Sequence, residues 1–224
     1  MTELKTLALR LPRVTALIGG GGKTSLMYLL GQELAEQGES VLLTTTTHLA
    51  QDDCAVAPKD IDELNALLAP EKIVLAAYPA ADGRMTGIPA EWYAHLKADR
   101  ILVEADGSHR LPLKVHRAFE PAIPAGAELV LQVAGLSALG RCTNEAVHHP
   151  EEMGLPEPER VSPELIESIL LRGAKRCPCQ CVAVLNQADD DFLRRQAFEM
   201  KKELEKEKLF TVITRLKGGV ACWY

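Results

Sequence analysis

Val14-Thr15-Ala16-Leu17-Ile18 runs without interruption into Gly19-Gly20-Gly21-Gly22-Lys23-Thr24-Ser25, and then into Leu26, Leu29, Leu30 and Leu34 at helical spacing. The first five residues read as a buried strand. The leucines predict one face of a helix whose other face carries Gln32, Glu33 and Glu36, with Gly38 as its stop. A strand, a bend without side chains and a helix start bring backbone N–H groups and the positive helix end to one point, as a phosphate requires. Gly19, Gly20, Gly21 and Gly22 then give clearance and Ser25 closes the binding run. Lys23 reaches the β- and γ-phosphates, and the Thr24 hydroxyl ligates Mg²⁺. The pattern G-x-x-x-x-G-K-[ST] would set its first glycine at position 17, where this chain has Leu17.

Outward from this unit the aliphatic runs continue. Val41–Thr45, Ile73–Ala77, Ile101–Ala105, Leu129–Val133, Cys181–Leu185 and Leu209–Thr214 are near-continuous rather than alternating, the mark of strands buried on both faces. With the first they predict an α/β fold: a mostly parallel sheet of about seven strands with helices on both faces, like that of a P-loop NTPase. A charged helix over 190–205 carries the stripe Leu193, Ala197, Met200 and Leu204. Tyr78-Pro79 and Asp82-Gly83 mark a hairpin or loop insertion up to Gly87. The proline-rich, acidic stretch His149–Pro163 reads as a mobile loop, a lid or a partner contact, before a helix capped by Ser162.

The 224 residues fit a single domain over 1–224, since about 150 residues per domain is usual. Thirty-one acids against 25 bases give a net charge of −6, which argues against broad adhesion to nucleic acid or to an anionic membrane. Charges at Glu3, Lys5 and Arg10 interrupt the first twelve residues, and the stretch Leu129–Gly140 falls short of the ~20 apolar residues of a membrane helix. A cytoplasmic, reducing location with free thiols is the expectation.

A phosphate loop needs an acidic partner at the carboxyl end of another strand. Ile101-Leu102-Val103-Glu104-Ala105-Asp106-Gly107-Ser108 supplies two carboxylates facing the same side, where repulsion calls for a cation between them; Mg²⁺ is the simplest one. Glu104 and Asp106 join Lys23 as candidate catalytic residues. Thr44-Thr45-Thr46-Thr47-His48 ends the second strand; either it is ordinary β-propensity or Thr46 joins Thr24, Glu104 and Asp106 around the metal. His109, Arg110 and Lys114 are placed to neutralise phosphate or to grip a substrate anion, unless they are merely solvated.

Val182-Ala183-Val184-Leu185 leads into Asn186-Gln187-Ala188-Asp189, which resembles the N-K-x-D guanine-reading element of GTPases with Gln187 in place of lysine. Asp189 would accept the two N–H groups that guanine has and adenine lacks, with Asn186 beside it; the alternative is an ordinary turn in which Asp189 or Asp190 caps the helix. Cys177, Cys179 and Cys181 alternate along an extended segment, suiting a soft metal, selenium or persulfide chemistry, or else are idle thiols at a strand start. Cys54, Cys142 and Cys222 have no readable partners.

The glycine loop GGGGKTS, the strand end TTTTH, the segment ILVEADGSHRLPLK, and FEPAIP and VLNQAD downstream together resemble the YqeC family of selenium-dependent hydroxylase accessory proteins. What the resemblance implies is a P-loop NTPase-like protein, with Lys23 and Thr24 in its phosphate site, that serves a selenium-dependent molybdenum hydroxylase or its cofactor-insertion machinery. The reading is therefore a protein that binds Mg²⁺ with GTP or ATP and hydrolyses the nucleotide slowly, since no arginine finger or water-positioning glutamine is recognisable. Two rivals stand beside it: a small-molecule kinase, and a non-enzymatic selenium or metal carrier built on Cys177, Cys179 and Cys181. A homodimer around the nucleotide is left open. Lys23→Ala is expected to abolish nucleotide affinity with the fold intact.

Overall fold

A computed structural model of the chain describes residues 7–154, 158–215 and 222–223. In chain order its elements are β1 (Val14–Gly19), α1 (Lys23–Ala35), β2 (Val41–Thr45), β3 (His48–Leu49), α2 (Ile61–Leu67), β4 (Ile73–Leu75), β5 (Tyr78–Pro79), β6 (Met85–Thr86), β7 (Arg100–Glu104), β8 (Leu113–Lys114), β9 (Leu129–Gly135), α3 (Thr143–Ala146), β10 (Val147–His148), α4 (Pro163–Ala174), β11 (Gln180–Asn186), α5 (Asp191–Lys206), β12 (Thr211–Arg215) and β13 (Cys222–Trp223).

The aliphatic runs behave as their composition requires. β4, β2, β7, β1, β9, β11 and β12 lie side by side in that order, every pairing parallel, and β13 adds an antiparallel edge. All six residues of β1 and all seven of β9 are buried, so no alternation of polar and apolar residues is possible there. One face is covered by α1, whose Leu26, Met27, Leu30 and Leu34 pack on Leu17, Leu43, Leu102 and Leu131. Met27 replaces the expected Leu29, which is only partly buried. On the other face α4 and α5 set Ile166, Leu170, Ala197, Met200 and Leu204 against Ala134, Ala183, Leu185 and Ile213. Each leucine or isoleucine sealed this way contributes about 1.5–3 kcal/mol of transfer free energy.

The helix ends follow local chemistry. Ser162 accepts from the Leu165 amide at 3.3 Å with Pro163 in the first turn, and Asp190 accepts from Leu193 at 2.8 Å. The helix α5 keeps Ala197, Met200 and Leu204 buried, with Leu193 partly so. The expected hairpin forms between β5 and β6, with Tyr78 opposite Thr86 and Pro79 opposite Met85, and β3 extends it. Within the stretch expected as a loop, Pro150–Met153 form a 3-10 turn, while residues 155–157 lie outside the described ones.

Chain order determines where a ligand can enter. The chain leaves β1 for β2 and β4 on one side, returns to insert β7 between β2 and β1, and only then builds β9, β11 and β12 on the other. Connections above β1 therefore diverge at the carboxyl ends of β7, β1 and β9, which opens a crevice there. The glycine bend leaves β1 at that point. No helix among the described residues is long and apolar enough to cross a membrane.

Candidate functional site

Gly19 adopts a left-handed φ of 95°, and its neighbours explain why four glycines follow one another. A Cβ on Gly19 would lie 2.1 Å from the Val133 carbonyl oxygen, on Gly20 2.6 Å from that of Leu111, on Gly21 2.4 Å from Gly135 Cα, and on Gly22 2.5 Å from Asn186 Nδ2. The bend is thus pressed between the Leu111-Pro112 loop, the end of β9 and the end of β11. Three of its amides are spent on protein acceptors: Gly19 N–H on Asp106 Oδ2 at 2.7 Å, Gly20 on Val133 O at 2.9 Å and Gly21 on Leu111 O at 3.2 Å. The first bond of the helix runs from Leu26 N–H to Gly22 O. Among the described residues, the amides of Gly22, Lys23, Thr24 and Ser25 meet no acceptor, and no acidic side chain occupies the first turn of α1. Donors for an anion therefore sit one step later than the glycines themselves, with Thr24 and Ser25 exposed.

The two carboxylates expected on one side of the strand end do converge, and the cation between them is Lys23. Its ammonium donates to Gly19 O at 2.7 Å and lies 3.1 Å from Asp106 Oδ1 and 3.6 Å from Glu104 Oε1, with only 4% of the residue exposed. Glu104 Oε2 accepts from the Thr24 hydroxyl at 2.7 Å. Asp106 Oδ2 also meets His116 Nε2 at 2.6 Å, a buried partner that sequence reasoning missed. Its only signal was its place two residues beyond Lys114 in the same segment. Burial alone would raise the Asp106 pKa, but the Lys23 ammonium and the His116 hydrogen bond outweigh it and hold the group at about 2. For Glu104 burial wins over Lys23 and Thr24, and its pKa is raised. Two acids two residues apart are thereby driven in opposite directions.

The threonine run is mostly bracing. Thr44, Thr45 and Thr46 hydroxyls donate to the carbonyls of Ala76, Glu104 and Ala122 at 2.9, 2.7 and 2.6 Å, and the Thr46 amide bonds to Glu104 O. Thr46 thus borders the acid pair through backbone, with its hydroxyl already engaged, and His48 is exposed on β3. Among the described residues no group of three or more His, Cys, Asp or Glu side chains is placed to hold a metal. The hard-oxygen pair of Thr24 and Glu104, beside open amides and the buried Asp106 carboxylate that pairs with Lys23, is nevertheless the donor set that a Mg²⁺ bound with phosphate would use.

The basic residues of the following loop separate. Lys114 is sealed in, its Nζ 2.6 Å from Gly107 O and 2.7 Å from Glu120 Oε1, so it cannot grip an acceptor molecule. Exposed His109 and Arg110 stay at the crevice, both with left-handed φ, and His109 stacks 4.5 Å from His148. Burial and the neighbouring His149 lower the His148 pKa to about 4.

At the end of β11, Asn186 donates from Nδ2 to Gly21 O at 2.7 Å and accepts from the Thr214 hydroxyl at 2.7 Å. It fastens the glycine bend to β12 and is itself buried. Gln187 turns back with φ 66° and accepts from Ser137, Asp189 is half-buried above it, and the helix cap falls to Asp190. Cys177, Cys179 and Cys181 lie at the amino end of β11, on the opposite edge of the sheet from the glycine bend. Cys54 and Cys142 are free thiols, and the Cys222 side chain lies outside the described residues.

A sequence model of the family described as YqeC protein matches residues 15–151. The chain belongs to the YqeC family. A relative from Escherichia coli (strain K12), named "Uncharacterized protein YqeC", is 34% identical over 152 residues, an alignment that covers 61% of this chain and 57% of the relative. The match thus spans somewhat more than half the length of that protein. The span matched by the YqeC model holds the whole cluster of Lys23, Thr24, Glu104, Asp106 and His116, together with the Leu111-Pro112 loop. Asn186, Asp189 and the three alternating cysteines fall beyond it.

Proposed function

We propose that this YqeC-family chain binds a nucleoside triphosphate with Mg²⁺ at the start of α1 and hydrolyses it slowly. The observation that carries the reading is the junction of four open N–H groups, Gly22 to Ser25, with the 2.7 Å contact between Thr24 and Glu104. Anion donors and a hard-oxygen cation site then lie side by side, as a magnesium-phosphate ligand demands. Bound Mg²⁺ would neutralise phosphate charge there, held by Thr24 and Glu104, with Asp106 behind Lys23 and Thr46 at the margin. Lys23 brings a buried positive charge to the same point. Glu104, bonded to Thr24 and 3.6 Å from Lys23, is the carboxylate suited to orient an attacking water. GTP over ATP is favoured by Asp189 beside the anchored Asn186, in the pattern of a guanine reader. In the cell, the resemblance of the family points to an accessory role toward a selenium-dependent molybdenum hydroxylase or its cofactor-insertion machinery, in the cytoplasm.

The test is a thermal-shift series with GTP, ATP and their diphosphates, with and without Mg²⁺, since a ligand at 100 times its Kd stabilises the folded state by about 2.7 kcal/mol. The expected result is a magnesium-dependent rise with triphosphate that Thr24→Val removes, and a GTP preference that Asp189→Ala removes. No rise with any of the four at millimolar concentration overturns the reading.

A further inference from the structure

The loop that lies over the glycine bend carries an arginine that nothing in the fold employs. Ser108 O accepts from Leu111 N–H at 2.9 Å, closing a turn whose central residues, His109 and Arg110, have left-handed φ of 51° and 63°. Glycine or asparagine normally fills both places of such a turn, because a larger side chain is strained there. The turn is held from two sides. Beneath it, Gly21 N–H donates to Leu111 O at 3.2 Å and Gly135 N–H to Pro112 O at 2.8 Å. Beside it, β10 pairs with β8 and brings up His148, whose ring stacks on His109 with Nδ1 3.2 Å from Gly107 O. Arg110 is left exposed, and its side chain makes no hydrogen bond or ion pair with any described residue. A strained backbone enforced by several contacts, presenting a side chain without a structural partner, marks a functional position.

We infer that Arg110 is a catalytic residue, its guanidinium contacting the γ-phosphoryl group of a triphosphate held by the Gly22–Ser25 amides; the inference rests on the nucleotide site proposed above. Leu111 O, one residue on from Arg110, lies against Gly20 and Gly21, so the turn stands at the bend itself. Charge balance points the same way. Lys23 is already matched by Asp106 and Glu104 and bonded to Gly19 O, which leaves the site short of a cation for the charge that shifts during transfer. A planar guanidinium offers paired donors to two oxygens of one phosphoryl group, which the neighbouring imidazole cannot do. In the step, a water oxygen bonds to the γ-phosphorus while the bond from phosphorus to the bridging oxygen breaks, and the electron pair of that bond stays on the diphosphate. Triphosphate and water become diphosphate, inorganic phosphate and one proton released to solvent, and Arg110 leaves the step unchanged. The chain thus supplies in cis the arginine that no sequence motif announces.

The experiment measures single-turnover hydrolysis of GTP and ATP with Mg²⁺ by the full chain, together with diphosphate affinity by calorimetry. Arg110→Ala should slow turnover roughly 1,000-fold while diphosphate affinity stays within about threefold, because the contact strengthens only in the transition state. Diphosphate with aluminium fluoride, a mimic of that state, should bind the native protein and not this variant. Arg110→Lys keeps the charge but loses the paired donors, and should recover only part of the rate. Arg110→Gly relieves the left-handed backbone, so it should melt at or above the native temperature and still turn over as slowly as Arg110→Ala. An Arg110→Ala rate within about tenfold of native, or a loss that appears wholly as weaker diphosphate binding, overturns the inference. An Arg110→Gly chain that melts several degrees lower does so too, since Arg110 would then be holding the fold. A native protein that binds no triphosphate overturns the phosphate reading itself, a result distinct from unchanged turnover in a protein that binds.

Discussion

Lys23 answers two demands at once, and they pull on the same experiment differently. A lysine beside open helix amides offers charge to a phosphate, yet this one is buried against Asp106 and Glu104 and bonded to Gly19 O. Removing it strands two carboxylates in a site with little water. Lys23→Ala should therefore lower unfolding free energy by about 3–5 kcal/mol as well as nucleotide affinity, as urea titration would show. Thr24→Val is the cleaner probe, since Thr24 is exposed. Acid behaviour belongs to Asp106. Its pKa of about 2 in the fold, against an ordinary 3.8, means its ionised form adds stability above about pH 4 that is lost as pH falls through the folded value, about 2 kcal/mol in all. Glu104, shifted upward, acts with the opposite sign and stabilises most when protonated. In Asp106→Asn the native advantage seen at about pH 5 should shrink by about 2 kcal/mol by about pH 2 in urea titrations; a constant gap would exclude the assigned pairing.

The strand-bend-helix unit shows how packing can claim residues that chemistry also wants. Glycine at position 20 is required by the Leu111-Pro112 loop, whose carbonyl oxygens and carbon would lie within 2.6–2.9 Å of a Cβ. The loop lies over the bend because Gly21 N–H bonds to Leu111 O and Gly135 N–H to Pro112 O. Gly20→Ala should displace that loop and cost about 1–3 kcal/mol of stability. Gly38, with φ 90° and open space around it, has only its backbone conformation to lose, so Gly38→Ala should cost about 1 kcal/mol and leave nucleotide binding untouched. Equal effects at the two positions, measured by thermal unfolding and ligand titration, would mean that the bend and the loop are not in contact.

Across the molecule, stability is concentrated in the centre of the sheet. β1 is hydrogen-bonded on both sides by β7 and β9 and buried throughout, while β3, β5 and β6 form a short outlying sheet. Amides of Thr15–Ile18 and Leu129–Val133 should exchange with solvent last, near the global unfolding limit, and those of His48–Leu49 and Met85–Thr86 orders of magnitude sooner; the reverse order would contradict this sheet. Seven strands, the helix after the bend and the caps at Ser162 and Asp190 were legible in the chain because aliphatic runs, 3.6-residue stripes and cap residues act locally. The same locality put Glu104 and Asp106 on one side of their strand. What lay beyond the sequence was every contact made at long range: that the cation between these acids is Lys23, that His116 stands behind Asp106, that Lys114 is sealed rather than presented, and that three glycine amides are already taken. Those outcomes depend on which loops the strand order stacks over the end of β1, and periodicity along a chain carries no information about what folds on top of it.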